Sequence, residues 1–208
     1  FEFLNKEAIA NVALAGQIRP TTLFDKDIFK DEELRKLIVD LKDRRPDSVF
    51  GAIAKKIETN GIKLLDSTVF LEDYLPNKGI LTPDEPPQEV WEDINFGFLM
   101  AKEIARLDIG QTVIIRSKTI VAVEALEGTD ATIRRAGSIV PQGCVAVKVS
   151  KPRQDKRFDI PVVGLRTINN LIKINARCLA IEASRTLFID KDEAVKQAKK
   201  HNLFVVAV

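Results

Sequence analysis

The chain has 208 residues, 45% of them apolar and 30% charged, a globular profile long enough for one large or two small domains with real cores. Its formal net charge of +2 is too near balance for a broad nucleic-acid surface, which would make the domain strongly basic. No uninterrupted apolar run approaches the about 18 residues needed to cross a bilayer, and the opening FEFLNKEAIANV is too charged for the apolar region of a signal peptide.

The first residues read as the end of a short helix, followed by a strand at Val12–Ala15 inside Asn11-Val-Ala-Leu-Ala-Gly16. Because the chain starts without Met, the expectation is that the natural protein extends further at this end, with a first strand and any Gly-rich phosphate loop upstream. After Gly16 comes Gln17-Ile18-Arg19-Pro20, then a helix over Asp31 to Lys42 capped by Asp31. From Val49 to Thr59, the residues Val49, Ile53 and Ile57 recur every four positions with Phe50 and Ala54 beside them, one apolar helical stripe. Asn60-Gly61 closes that helix and Ile62–Leu65 forms a short strand, so the pattern is α/β.

Pro76 to Pro87 holds four prolines and a glycine and marks the best domain boundary. The organisation expected is an amino-terminal domain over 1–78, a Pro-rich linker over 79–87 and a carboxy-terminal α/β domain over 88–208. Within the latter, Gln88 to Leu107 has helical periodicity, and Thr112–Ile115 and Thr119–Val123 are β-branched runs joined as a hairpin through Arg116-Ser117-Lys118. A helix from Thr129, a strand Cys144–Val149, a short apolar run Pro161–Val163 and a helix Thr167–Ile174 follow. Leu179–Ile181 and Leu187–Ile189 read as paired strands, before a helix Lys191–His201 and a strand Phe204–Val208. The two cysteines, Cys144 and Cys178, sit beside apolar neighbours without a C-x-x-C pair and are expected to be buried free thiols of a reducing compartment.

Histidine chemistry is set aside, because the single histidine, His201, ends a helix where the macrodipole favours it. A zinc site lacks ligands of the right kind and spacing, and neither a P-loop nor a G-x-G-x-x-G fingerprint is present. Carboxylate and Lys/Arg chemistry remains, which suits phosphates and divalent metals such as Mg²⁺. In EGTDATIRR, a strand ends near Glu124, Gly128 makes the turn and a helix starts at Thr129. Free N–H groups there, with the Thr129 hydroxyl and Arg134 and Arg135, would grip a phosphate, and Asp130 or Glu127 would ligate Mg²⁺. A plain Thr cap with an acidic first turn satisfies the same residues.

The segment KPRQDKRFDIPVVG is the second constellation. Lys148, Lys151, Arg153, Lys156 and Arg157 place five cations within ten residues, with Asp155 the only acid among them. A charge run is ordinarily a solvated face, but this one lies between two apolar strands, with Asp159 at the border of the second. Gly164-Leu165-Arg166-Thr167 adds a strand-to-helix turn carrying a hydroxyl and a guanidinium.

Taken in order, LDIGQTVIIRSKTIVAVEA, EGTDATIRRAG and VKVSKPRQDKRFDIPVVGLRTI resemble the carboxy-terminal domain of the UDP-2,3-diacylglucosamine pyrophosphatases of the magnesium-dependent, histidine-poor type. ALAGQIRP and DSVFGAIAKKIETNGI are similar to the back half of that family's Rossmann-like amino-terminal domain. The resemblance implies hydrolysis of UDP-2,3-diacylglucosamine to UMP and 2,3-diacylglucosamine 1-phosphate (lipid X) in lipid A biosynthesis. It implies Asp159 as the catalytic aspartate of the pattern R-x-D-[LI]-P-x-x-G; on the chemistry of phosphoryl transfer Asp159 is expected either to bind Mg²⁺ or to orient the attacking water, with Asp130 a second candidate metal ligand. Gly128, Thr129, Lys151, Arg157 and Thr167 would bind phosphate or substrate, joined from the amino-terminal domain by Gly16, Gln17 and Arg19. Val162 stands where the family more often has threonine. The expected partners are a lipid-linked sugar nucleotide and, transiently, the cytoplasmic surface of the inner membrane, with a homodimer as one option and no nucleic acid. The competing class is a non-catalytic sugar-nucleotide or phosphate sensor, which leaves unexplained a carboxylate among the cations.

Overall fold

The computed structural model describes residues 1–16, 32–43 and 45–208, so the expected Asp31 cap, Gln17 and Arg19 lie outside the described residues. The chain divides into two compact units, the first built from Phe1–Phe70 with Asp155–Asp159, the second from Leu71–Gln154 with Ile160–Val208. Both are mixed α/β.

In the first unit, α1 (Glu2–Lys6) leads to β1 (Asn11–Val12), and α2 (Glu32–Val39) and α3 (Pro46–Thr59) precede β2 (Lys63–Leu64). β1 and β2 pair in parallel, Asn11 with Lys63 and Val12 with Leu64, a pairing that requires a crossover connection. Pro46 opens α3 at a position where its missing N–H costs nothing. Ala54 and Ile57 of α3, with Ile62 and Leu64, form a small core that also takes in Phe158. The Phe158 ring stacks on Phe50 at 5.6 Å.

The second unit is built on a six-stranded sheet. Its strands are β3 (Gly79–Ile80), β4 (Thr112–Arg116), β5 (Thr119–Val123), β6 (Val145–Lys148), β8 (Cys178–Ile181) and β10 (Phe204–Ala207). The order is β3-β10-β8-β6-β4-β5, with β10, β8 and β6 paired in parallel and the β3–β10, β6–β4 and β4–β5 pairs antiparallel. The residues expected to link the domains, 79–87, lie in this unit, and Gly79–Ile80 supplies its edge strand.

Alternation along the strands sends side chains to two faces. Val113, Ile115, Val145, Val147, Cys178, Ala180 and Val206 pack under α4 (Gln88–Arg106). Ile114, Ala146, Leu179, Ile181, Val205 and Ala207 pack under α5 (Thr129–Ile139), α6 (Leu165–Lys173) and α7 (Lys191–Lys200). Cys144 and Cys178 are free and buried, as the sequence predicts, and burial pushes both thiols up from their ordinary values.

One pairing differs from expectation. Leu179–Ile181 and Leu187–Ile189 do not pair with each other: β8 is flanked on both edges, by β6 and β10. The later run, β9 (Leu187–Phe188), instead pairs in parallel with β7 (Val162–Val163) in a separate two-stranded sheet. A strand with both hydrogen-bonding edges filled has no ladder left to offer.

Candidate functional site

The carboxyl ends of β6, β8 and β10 share one edge of the sheet, where open α/β sheets hold their ligands. Thr112 opens β4 opposite Lys148, the last residue of β6, and Glu124, just past β5, donates its backbone N–H to the Thr112 carbonyl at 2.8 Å. Alternation puts Thr112 and Lys148 on the α5 face, and α5 begins there at Thr129. Its N-cap, Gly128, has φ 80, a left-handed turn that glycine enters without strain.

Four polar side chains meet at this point. Lys148 Nζ donates to Thr129 Oγ1 at 2.7 Å and to Thr112 Oγ1 at 3.4 Å. Thr129 donates to Glu124 Oε1 at 2.8 Å. Lys148 and Glu124 are 6% and 8% exposed, so neither charge is solvated and each depends on the other. Glu124 Oε2 accepts no hydrogen bond and lies 3.8 Å from the ammonium. Since its single proton is directed at Glu124, the Thr129 hydroxyl offers an incoming group only acceptor capacity. Donor capacity lies in the Lys148 ammonium and in the first N–H groups of α5, which no side chain caps.

The neighbouring residue Asp130 ties α5 to α6. It accepts from Asn170 Nδ2 at 2.9 Å and pairs with Arg166 at 2.5 Å. Thr167 is buried in the first turn of the same helix. Gly128, Thr129, Asp130 and Thr167 are thus joined through α5 and α6 in one unit. Lys151, also in this unit, pairs with Asp108 at 2.7 Å. Glu127 turns toward Arg135, and although burial raises its carboxyl, the Arg135 hydrogen bond helps draw the net shift down.

Gly16, Arg157 and Asp159 belong to the first unit. Gly16 is exposed, with φ 111. Arg157 makes hydrogen bonds to Asp155, the shortest 2.7 Å, and to Glu58 at 2.5 Å. These bonds push its guanidinium pKa up, chiefly through Asp155. Ser67 fixes the same stretch, donating its N–H to the Lys156 carbonyl and its hydroxyl to the Arg157 carbonyl. Asp159 is half-buried and has φ 57, a left-handed conformation that Asp and Asn tolerate best among residues with a side chain.

Sequence reading did not assign Glu124, Thr112, Asn170, Glu182 or Lys102, and it counted Lys148 only as one cation in a run. The missed signal is in Val145-Ala-Val-Lys148-Val-Ser150: a lysine inside an apolar strand is buried and must have a partner. At the opposite edge of the sheet a cavity of about 250 Å³ is lined by residues including Arg116, Lys118, Arg177, Glu89 and Glu92. There Lys118 pairs with Glu92 and Arg177 with Glu89, and Arg116 donates to the Gln142 carbonyl.

A buried cation beside a helix N-terminus that no side chain caps, at the carboxyl edge of parallel strands, is an arrangement with the positive potential to receive an anionic group in an α/β domain. Residues 77–206 match the family model described as LpxI C-terminal domain, and residues 1–74 match LpxI N-terminal domain. The chain belongs to the LpxI family. Over 219 aligned residues it is 29% identical to the UDP-2,3-diacylglucosamine pyrophosphatase LpxI of Caulobacter vibrioides, a match covering 100% of this chain and 78% of that relative.

Proposed function

We propose that this chain hydrolyses the pyrophosphate bond of UDP-2,3-diacylglucosamine in lipid A biosynthesis. Water attacks one phosphorus, the anhydride P–O bond breaks, and UMP and 2,3-diacylglucosamine 1-phosphate leave. Membership of the LpxI family through both domains, in order along the chain, is the observation that carries this reading. A diphosphate resists attack because its oxygens are negative, so the protein must supply cations and position the water.

Lys148 and the α5 N-terminus supply positive potential for a phosphate, with Gly128 allowing close approach of the backbone. Asp159 orients the attacking water or holds the metal. Lys151, Arg157 and Thr167 complete the substrate-binding set, and Gly16, Gln17 and Arg19 are its members in a Rossmann-like amino-terminal domain. Lys151 and Arg157 are each paired with carboxylates here, so contact with substrate requires an exchange of partners.

Magnesium is part of the proposal. Among the described residues no group of three or more His, Cys, Asp or Glu side chains makes a metal cage. Mg²⁺ is commonly held by one or two carboxylates together with substrate phosphates, so the carboxylates fit a metal that arrives with the diphosphate. Asp130 and Asp159 are the candidate ligands, Asp130 by giving up Arg166. When bound, the ion neutralises phosphate charge. Among the described residues no helix is long and apolar enough to cross a membrane; we assign the protein to the cytoplasm, with transient contact at the inner membrane where its lipid substrate resides.

The test is UMP release from UDP-2,3-diacylglucosamine by the purified chain, with magnesium and with EDTA. Release that stops in EDTA and returns with magnesium is expected. Tight binding of substrate without UMP release would replace the enzyme with a sensor, and equal turnover in EDTA would remove the metal.

A further inference from the structure

A second buried polar cluster stands beside the site on the same sheet edge. Glu182, just past β8, is 9% exposed, and Ser150, two residues past β6, is 1% exposed. Glu182 Oε2 accepts from the Ser150 N–H at 2.7 Å and from the Ser150 hydroxyl at 2.8 Å. Lys102 of α4 donates to both Glu182 oxygens at 3.0 Å and to the Ser150 carbonyl at 2.9 Å. Arg185 lies 3.6 Å from Glu182 Oε1. Every polar group of Ser150, backbone and side chain, is thus held by two charged side chains.

This capture falls where the chain leaves the sheet. Val149 still bonds to the Gln111 carbonyl, whereas four residues after Ser150 the chain departs the second unit and Asp155–Asp159 join the first. It returns at Ile160, and the Pro161 carbonyl is pinned by the Leu187 N–H at 2.9 Å. An ion pair costs desolvation that apolar side chains would avoid, so a charged clamp at this point has a use other than packing.

We infer that Lys102 and Glu182 are positioning residues for the reaction: through Ser150 they fix the origin of the segment that bears Lys151 and leads to Asp159. The inference rests on the proposed hydrolysis. The clamp touches no substrate; it sets where the segment starts, and a displacement of about 1 Å in a reacting group can cost on the order of 10²-fold in rate.

The experiment compares three forms of the full chain in UMP release, with thermal melting and hydrogen exchange at residues 150–154. In Lys102→Met/Glu182→Leu, which replaces the pair with apolar side chains, kcat is expected to fall at least tenfold with KM within threefold, and amide protection at 150–154 to be lost. In Lys102→Gln/Glu182→Gln, which keeps an uncharged donor for the Ser150 carbonyl and an uncharged acceptor for its N–H and hydroxyl, most of the lost kcat and of the lost protection are expected to be regained. Equal kcat loss in both double variants, or none in the apolar one, overturns the inference. Should the apolar variant fail to fold, Ser150→Ala, which removes one bond, is expected to lower kcat severalfold at unchanged KM, and unchanged kcat there overturns the inference as well. A wild-type chain that releases no UMP refutes the hydrolysis itself and this role with it. An active wild type with unaffected variants refutes only the clamp.

Discussion

Lys148 donates its ammonium to the Thr129 hydroxyl across 2.7 Å, joining the end of β6 to the first turn of α5. The hydroxyl in turn donates to Glu124, so a strand, a helix start and a second strand end are tied through one oxygen. The arrangement converts a buried charge pair into a fixed point at the sheet edge.

Removing one member of such a pair leaves the other charged and buried. Lys148→Met is expected to destabilise the protein by about 3 kcal/mol, read as a lower urea midpoint at unchanged slope. Adding Glu124→Gln should recover most of that loss, because no uncompensated charge remains. Activity separates from stability here: the double variant refolds without its cation, so UMP release stays low. A double variant with wild-type turnover would remove Lys148 from the phosphate site.

Gly110 carries the next prediction. A Cβ added there would overlap the Glu124 carbonyl oxygen and lie 2.7 Å from its carbonyl carbon. Backbone is what it meets, and backbone cannot swing aside. Gly110→Ala is therefore expected to cost about 1–3 kcal/mol and to shift Glu124 away from Thr129. A thermal melt and UMP release measured together check this, since a change confined to the loop would leave both intact.

The helices were largely legible in the sequence, and the pairings less so. Periodicity over Gln88–Leu107 anticipates α4 at Gln88–Arg106, and the hairpin through Ser117-Lys118 is where the β-branched runs place it. Those signals are local: repeat spacing and turn residues act within a few positions. β8 and β9 show the limit, because a short apolar run states which residues are buried but not which distant strand fills its edge. The site divides the same way. Thr129 and Asp130 stand in a readable turn, while Glu124, Lys148 and Thr112 come together only through the antiparallel register of β4 with its neighbours.

Acid response is expected to report the Arg157 network. The Asp155 carboxyl is held below its ordinary value of 3.8, first by its hydrogen bond from Arg157, against the opposing effect of burial. A carboxylate with a depressed folded pKa stabilises the fold above its unfolded pKa, and that contribution disappears as pH falls through the folded value. Urea unfolding of wild type from pH 7 down to pH 3 should therefore lose stability mainly below pH 4. Asp155→Asn should flatten this limb and lower stability at pH 7. Parallel curves for the two proteins would assign the acid sensitivity to other carboxylates.

Asp159 combines a proposed chemical role with a left-handed backbone, φ 57, and the choice of substitution decides what is learned. Alanine removes the carboxylate but also adds about 1 kcal/mol of backbone strain, because a residue with Cβ and no polar side chain is poorly suited to that conformation. Asparagine is at ease there and matches aspartate in shape, so Asp159→Asn isolates the charge. Phe158, the preceding residue, is packed in the core of the first unit, and strain at residue 159 would be transmitted to it. Asp159→Asn is expected to melt with wild type and to lose on the order of 10²–10⁴-fold in kcat. Asp159→Ala is expected to lose as much activity and to melt lower. If Asp159→Asn retains turnover while Asp159→Ala does not, the residue serves the backbone conformation, and the reacting water is oriented by another group.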